Sequence, residues 1–125
     1  MDFKYLFTSF DGRIGRQQWW LGTIVLMVAS WIISFVIQMF AGAPDPATGQ
    51  MNMGALIVLL VVMIPFIYAS IALSVKRWHD RGKSGWWYLI VLVPLIGGIW
   101  ALVENGFLRG TEGPNQYGPD PLAGR

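Results

Sequence analysis

The sequence predicts an all-α membrane protein, a single domain with three transmembrane helices and a short N-terminal interfacial helix. Charged residues make up only 13% of the 125 residues and hydrophobic residues 54%, whereas a soluble domain usually carries about 25% charged residues. Three runs, 19–40, 55–75 and 86–103, contain no Asp, Glu, Lys or Arg. Each is long enough for a helix that crosses a hydrocarbon layer of ~30 Å. Tryptophans and basic residues lie at the ends of these runs, which is typical of membrane–water interfaces.

The N-terminal segment, residues 1–18, is expected to lie at the interface. The residues spaced i, i+3, i+4 and i+7 on one helical face are Phe3, Leu6, Phe7 and Phe10. This periodicity predicts a short helix, and its apolar face favours a position among the acyl chains. The alternative is a terminus whose aromatic rings pack against neighbouring helices.

The first and second runs give the strongest helix predictions. Run 19–40 follows two arginines and begins with paired tryptophans, and it contains no charge that would oppose insertion. Run 55–75 is interrupted by Pro65, which removes one backbone hydrogen bond and leaves the carbonyl four residues earlier without its usual donor. The connecting loop, residues 41–54, is punctuated by Gly and Pro and holds no Lys or Arg.

The third run, 86–103, is apolar but contains Pro94, Gly97 and Gly98. We expect a kinked helix that crosses the membrane completely. The alternative is a re-entrant hairpin that folds back at residues 94–98. The tail, residues 104–125, is polar and rich in Gly and Pro, which predicts irregular structure.

The basic residues predict an orientation. Residues 1–18 and 76–85 together carry seven Lys or Arg, whereas the 41–54 loop and the 104–125 tail together carry two. The positive-inside rule therefore predicts a multi-pass protein with a cytoplasmic N-terminus. Three crossings would put the tail outside, and the re-entrant alternative would put it inside.

Basic and aromatic residues flank the apolar runs in a pattern that favours an interfacial role. Clustered Lys and Arg beside helix ends bind anionic lipid headgroups at about 1 kcal/mol per residue, and tryptophans anchor helices at the same level. One set of residues could fill both roles. The residues expected at the lipid interface are Arg13, Arg16, Trp19, Trp20, Lys76, Arg77, Trp78, Arg81, Lys83, Trp86 and Trp87.

His79, Asp80 and Ser84 are expected to form a structural polar cluster. We expect His79 to donate to a backbone carbonyl and Ser84 to cap the third helix. Asp80 is expected to pair with an arginine, and a bridge to an N-terminal arginine would tie the two cytoplasmic segments together. The candidate partners of Asp80 are Arg13, Arg16, Arg77 and Arg81.

Four motifs carry a family resemblance. They are GRIGRQQWW at 12–20, RWHDRGKSGWW at 77–87, PLIG at 94–97 and NQYGPDP at 115–121. In this order they resemble the signatures of a family of small bacterial inner-membrane proteins, domain of unknown function 805, with Trp78 in place of the commoner leucine. The resemblance spans nearly the whole chain. It implies a protein of the bacterial inner membrane with about three helices, and it implies no established activity.

Composition excludes several kinds of site. The absence of cysteine rules out disulfides, thiolate metal sites and cysteine nucleophiles. A single histidine with few carboxylates nearby cannot build a zinc site, so we predict no metal and no cofactor. The net charge is only +2 and the basic residues are clustered, so nothing indicates nucleic-acid binding.

The predicted function is non-enzymatic. We expect a protein that acts in the membrane through self-association as a homo-oligomer, contact with anionic lipid, or contact with another membrane protein. One alternative is an oligomeric small transporter or channel, although such proteins ordinarily carry ionisable groups inside their spans. A second alternative is a membrane-surface enzyme that uses His79 and Asp80.

Overall fold

Two long helices dominate the fold, and the computed structural model describes residues 3–122. The elements in chain order are α1 (Phe3–Thr8), α2 (Arg16–Ala41), α3 (Met53–Asp80), a 3₁₀ helix (Gly85–Leu92) and α4 (Ile96–Gly106). No β-strand occurs within the described range, and the prediction of an all-α membrane fold is confirmed. Residues 1–2 and 123–125, the outer ends of the predicted interfacial segment and tail, lie outside the described residues.

Helices α2 and α3 form an antiparallel hairpin joined by the loop 42–52. Their 26 and 28 residues extend about 39 and 42 Å at 1.5 Å per residue, and both helices are long and apolar enough to cross a membrane. Asn52 caps α3 by accepting hydrogen bonds from the amides of Gly54 and Ala55. The helix continues through Pro65.

The outward faces of these two helices are apolar. On α2, Trp31 is 66% exposed and Phe35 is 65% exposed. A soluble protein rarely exposes a continuous apolar surface of this size. The exposed faces therefore agree with lipid contact along both helices.

The buried apolar contacts lie near the end of the molecule where α3 ends, which we call the polar end. Leu6, Ile14, Trp19 and Leu73 form one buried cluster. Helix α1 is thus held against α2 and α3 by Leu6, and Phe10 stacks on Tyr68 of α3. The predicted short N-terminal helix is therefore present, and some of its side chains also pack on neighbouring helices, as in the alternative.

Residues 86–103 fold back on themselves instead of forming the expected single helix that crosses the membrane. The 3₁₀ helix and α4 are joined by a turn, and Lys83 Nζ lies 2.5 Å from Glu104 Oε1, so both ends of the segment lie together. The chain reverses where Pro94 lacks an amide hydrogen and Leu95 adopts a φ of 63°. The geometry is that of the re-entrant alternative. The tail beyond α4 consequently lies at the polar end, together with α1.

Gly22 allows the close contact between α2 and α3. A Cβ at this position would lie 2.8 Å from Cδ1 of the buried Leu73. We expect Gly22→Leu to lower the free energy of unfolding by about 1–3 kcal/mol, the usual cost of overpacking, measured as a lower melting temperature in detergent.

Gly98→Leu is the matched control, since a Cβ at Gly98 would meet no neighbouring atom of the described chain within 4 Å. Equal melting temperatures for the two leucine variants would contradict the close packing of α2 on α3.

Candidate functional site

The candidate site is a buried group of polar side chains at the last turn of α3, beyond the apolar run that ends at residue 75. We call Arg13, Lys76, Arg77, His79 and Asp80 the polar cluster, and all five are buried. The C-terminal ends of α1, α3 and α4 meet here. The last carbonyls of a helix lack intrahelical donors and carry the negative end of the helix dipole, so this location favours cations.

Asp80 lies at the centre of the polar cluster. Its Oδ1 is 2.9 Å from Arg13 Nη2, and its Oδ2 is 2.5 Å from Arg77 Nη1. Burial raises the pKa of the Asp80 carboxyl, and the charges of Arg77 and Arg13 oppose that rise. Gly110 approaches so closely that a Cβ there would lie 2.0 Å from Oδ2. The expected bridge between Asp80 and an N-terminal arginine is present.

Lys76 caps the C-terminal end of α1. Its ammonium donates to the carbonyls of Tyr5, Leu6 and Ser9 at 2.6–2.7 Å. A lysine on α3 thereby supplies the donors that α1 lacks at its C-terminus. Burial lowers the pKa of Lys76 to about 8, so the group remains largely protonated at neutral pH.

Side chains of α2 and α3 cap the C-terminal end of α4 in the same way. Each of the four consecutive carbonyls of residues 105–108 accepts a hydrogen bond. Arg77 Nε donates to the first at 2.7 Å, Trp20 Nε1 to the second at 2.8 Å and Arg16 Nη1 to the third at 2.8 Å. Arg77 Nη2 donates to the fourth. Arg16 and Trp20, two residues of the first motif, thus have a structural role at the end of α4.

Arg13 fastens the tail to the polar cluster. Its guanidinium donates to three tail carbonyls at 2.6–3.2 Å, those of Thr111, Gly113 and Gly118. The amide of Thr111 in turn donates to the carbonyl of Asp80 at 2.6 Å. The tail is irregular in backbone conformation but fixed by these bonds.

His79 joins the N-terminal segment to the tail. Its Nδ1 lies 3.0 Å from the Gly12 carbonyl, so this nitrogen carries the proton, and its ring stacks on Tyr117 at 3.9 Å. Asn115 Nδ2 donates to the His79 carbonyl at 2.9 Å. Burial lowers the pKa of His79, while the Gly12 carbonyl and the charge of Asp11 act in the opposite direction. The lowered pKa favours the neutral imidazole.

A third ion pair lies at the rim of the site. Lys83 Nζ contacts Glu104 Oε1 at 2.5 Å and lies 4.5 Å from the centre of the Trp87 ring. Ser84 accepts a hydrogen bond from the Trp86 amide and caps the 3₁₀ helix, which is the role expected for it.

The structure places the expected interface residues in two groups. Five are buried and bond or pack internally, so they cannot contact headgroups as expected; these are Arg13, Trp19, Lys76, Arg77 and Trp78. Lys76 and Arg77 are buried because they bind the carbonyls of helix ends, and Arg13 is buried because it binds the tail. Sequence spacing does not reveal these partners. Arg16, Trp20, Arg81 and Lys83 are half-buried, and Trp86 and Trp87 are exposed.

Sequence reasoning missed several contributors. Glu104 is the first acid after an apolar run, and this break could have identified it as a partner for Lys83. Asn115 and Tyr117 belong to the fourth motif, whose residue types gave no indication of contact with His79. Among residues 3–122, no group of three His, Cys, Asp or Glu side chains could hold a metal ion.

Asp80→Asn should destabilise the protein strongly. The variant leaves the guanidinium groups of Arg13 and Arg77 buried without a counter-charge, and breaking a buried pair usually costs about 3–5 kcal/mol. We expect a much lower melting temperature in detergent. Asp45→Asn, in the loop at the opposite end, is the control and should melt like the wild type. A wild-type melting temperature for Asp80→Asn would show that the central ion pairs are unimportant.

The stability of the protein should depend on His79 in mildly acid solution. Because the pKa of His79 in the folded state is below its ordinary value of 6.5, the unfolded chain binds a proton first as the pH falls. The contribution of His79 to the free energy of unfolding should therefore be complete above pH 6.5 and be lost as the pH falls below it. Thermal unfolding of the wild type and of His79→Gln between pH 7 and about pH 5 measures how much His79 contributes to the pH dependence of stability. Identical pH profiles would exclude it.

Comparison with known proteins identifies the family. The family model "Protein of unknown function (DUF805)" matches residues 7–119. The chain is 34% identical over 119 residues to inner membrane protein YhaI of Escherichia coli (strain K12), covering 94% of this chain and 90% of that protein. It is 29% identical to inner membrane protein YhaH of the same strain, covering 92% and 88%. No solved structure matches.

The expected family resemblance is confirmed. The names of these relatives and the two long apolar helices together support an inner-membrane protein. The chain belongs to the DUF805 family of proteins of unknown function.

Proposed function

We propose that this protein acts in the inner membrane by association with a second copy of itself rather than by catalysis. In this proposal α2 and α3 cross the membrane, the polar end lies in the cytoplasm, and the outward face of α2 forms the contact between copies. The observation that carries the proposal is the exposure of Trp31 in the middle of α2.

Trp31 is an unusual residue to present to lipid at this depth. It lies near the centre of the 19–40 run, is 66% exposed, and finds no hydrogen-bond acceptor among the described residues. Tryptophans usually lie at the membrane–water interface, where water can accept from the indole N–H. In the hydrocarbon centre, a neighbouring protein has to supply the acceptor.

A second copy offers a suitable surface. Phe35 lies one turn from Trp31 and is also exposed. Ser30 lines the groove between α2 and α3, whereas Ser34 is half-buried beside Phe35, and a small residue at this position lets a transmembrane helix approach closely. In a symmetric pair of α2 helices, the Ser34 hydroxyl of one copy could accept from Trp31 of the other.

The polar end supports a structural role rather than catalysis. Asp80 is bonded to Arg13 and Arg77, and His79 is held between the Gly12 carbonyl and the Tyr117 ring. A general acid or base needs a free approach to substrate. Transport receives little support, because runs 19–40 and 55–75 contain no Asp, Glu, Lys, Arg or His.

The distribution of charge supports the orientation. Every described Lys and Arg lies at the polar end, whereas the loop 42–52 holds none. The positive-inside rule places such an end in the cytoplasm. The position of the tail at the polar end adds Arg109 to the same side.

Trp31→Ala should weaken self-association. We expect wild-type chains in a lipid bilayer to form dimers or larger oligomers, and the variant to dissociate about 5- to 30-fold more readily, as for other interhelical contacts worth about 1–2 kcal/mol. Photobleaching steps of a labelled chain, counted at several protein-to-lipid ratios, measure the equilibrium.

Trp86→Ala is the matched control, because Trp86 is also exposed but lies beside the polar end. It should associate like the wild type. A monomeric wild type at all ratios, or equal dissociation of the two alanine variants, would contradict the proposal.

A further inference from the structure

The segment from Gly85 to Gly106 forms an apolar hairpin whose base is level with the ends of the two long apolar runs. A Cβ at Gly85 would lie 2.8 Å from Val75, the last residue of the second run. A Cβ at Gly106 would lie 2.8 Å from the ring of Trp20, at the start of the first run. The hairpin therefore begins and ends at the edge of the hydrocarbon layer.

The two arms of the hairpin have the length of one leaflet. The eight residues of the 3₁₀ helix extend roughly 16 Å at about 2.0 Å per residue. The eleven residues of α4 also extend roughly 16 Å at 1.5 Å per residue. Half of a hydrocarbon layer of ~30 Å is about the same distance.

The side chains change from interfacial at the base to apolar at the tip. Trp86 is exposed at the base, where Lys83 Nζ also lies over the Trp87 ring. At the tip, Leu92 and Leu95 are 74% and 80% exposed, and residues 89–99 contain no charged side chain. Aromatic and basic residues at the base with leucines at the tip match the polarity gradient of a leaflet.

Most backbone amides at the tip are paired, which reduces the cost of placing them in hydrocarbon. The amides of Val93, Ile96 and Gly97 donate to the carbonyls of Ile90, Pro94 and Val93. Pro94 has no amide hydrogen to satisfy. Three of the four amides of residues 93–97 are thus paired within the turn, although its side chains are exposed.

We infer that residues 85–106 insert into a single leaflet and that the occupant of their exposed surface is the acyl chains of that leaflet. The orientation given under the proposed function makes this the cytoplasmic leaflet, and only that assignment rests on the proposed function. The molecule then has four helical rods in one leaflet and two in the other.

Gly97 holds the two arms together. A Cβ at this position would lie 1.6 Å from the Ile90 carbonyl oxygen, so any side chain would force the arms apart. Gly98, its neighbour in α4, would meet no neighbouring atom of the described chain within 4 Å. Alanine at either position adds the same methyl group, which would clash at residue 97 and meet no neighbour at residue 98.

A single nitroxide label at the tip tests the inference, because the chain has no native cysteine. Leu92→Cys is labelled and the full chain is reconstituted in bilayers. We expect high collision rates with oxygen, low rates with a water-soluble nickel chelate, and a depth near the bilayer centre. Access to the nickel chelate, shielding from both reagents, or a depth near the opposite headgroups would overturn the inference, since these results mean water, protein contact or full crossing.

The glycine pair adds a control for the hairpin geometry. In the Leu92→Cys chain, Gly97→Ala should change the measured depth, and Gly98→Ala should leave it unchanged. Equal depths for the two alanine variants would overturn the close contact of the arms. If Gly97→Ala does not fold, the measurement on Leu92→Cys alone remains decisive.

Labelling at the two ends separates this inference from the proposed orientation. Gln50→Cys in the loop and Gln116→Cys in the tail are exposed positions, and an impermeant maleimide should reach them from opposite sides of the membrane. Labelling from the same side would overturn the one-leaflet hairpin. Opposite sides with Gln50 cytoplasmic would refute only the proposed orientation.

Discussion

Three helices of this protein end at one place, and their free carbonyls create a strong local demand for hydrogen-bond donors and positive charge. Lys76 meets this demand for α1, and Arg77 with Arg16 meets it for α4. Asp80 then holds Arg13 and Arg77 in position. The rest of the structure depends on this arrangement, because α1, the hairpin and the tail have few other polar contacts with α3.

This arrangement explains how one short chain combines buried charges with a membrane location. The charges lie beyond the apolar runs and are bonded within the protein, so the spans themselves carry none. The same residues concentrate positive charge at one end, which is the pattern that determines orientation. Structural capping and membrane topology therefore use the same lysine and arginines, and neither role requires a free reactive group.

The elements that depend on local composition could be predicted from the sequence. Helices α2 and α3 follow from long uncharged runs, and Ser84 caps the helix that follows it, as its position indicates. The Asp80 bridge to Arg13 was among several pairings that the sequence allowed. The hairpin was harder to predict, because a kinked helix that crosses the membrane and a hairpin of two arms have the same apolar periodicity. The contacts of Gly97 with Ile90 and of Lys83 with Glu104 distinguish them, and these contacts exist only after folding.

The burial of Lys76 and Arg77 could not be predicted for a related reason. A basic residue at the end of an apolar run indicates the interface. Whether its side chain points to the headgroups or into the protein depends on which helix ends pack beside it. The carbonyls that these residues bind come from positions up to 71 residues away. Contacts between the tail and the polar cluster likewise join Arg13 to Gly118, 105 residues later, and no local pattern reports such a pairing.

The polar cluster fixes the end of the hairpin and the tail onto α3. Hydrogen–deuterium exchange of Asp80→Asn in detergent tests it most directly, because exchange reports the opening of each region separately. We expect faster exchange in residues 105–118 and unchanged protection in the middle of α2 and α3. Unchanged exchange in residues 105–118, or an equal loss of protection along the whole chain, would contradict it.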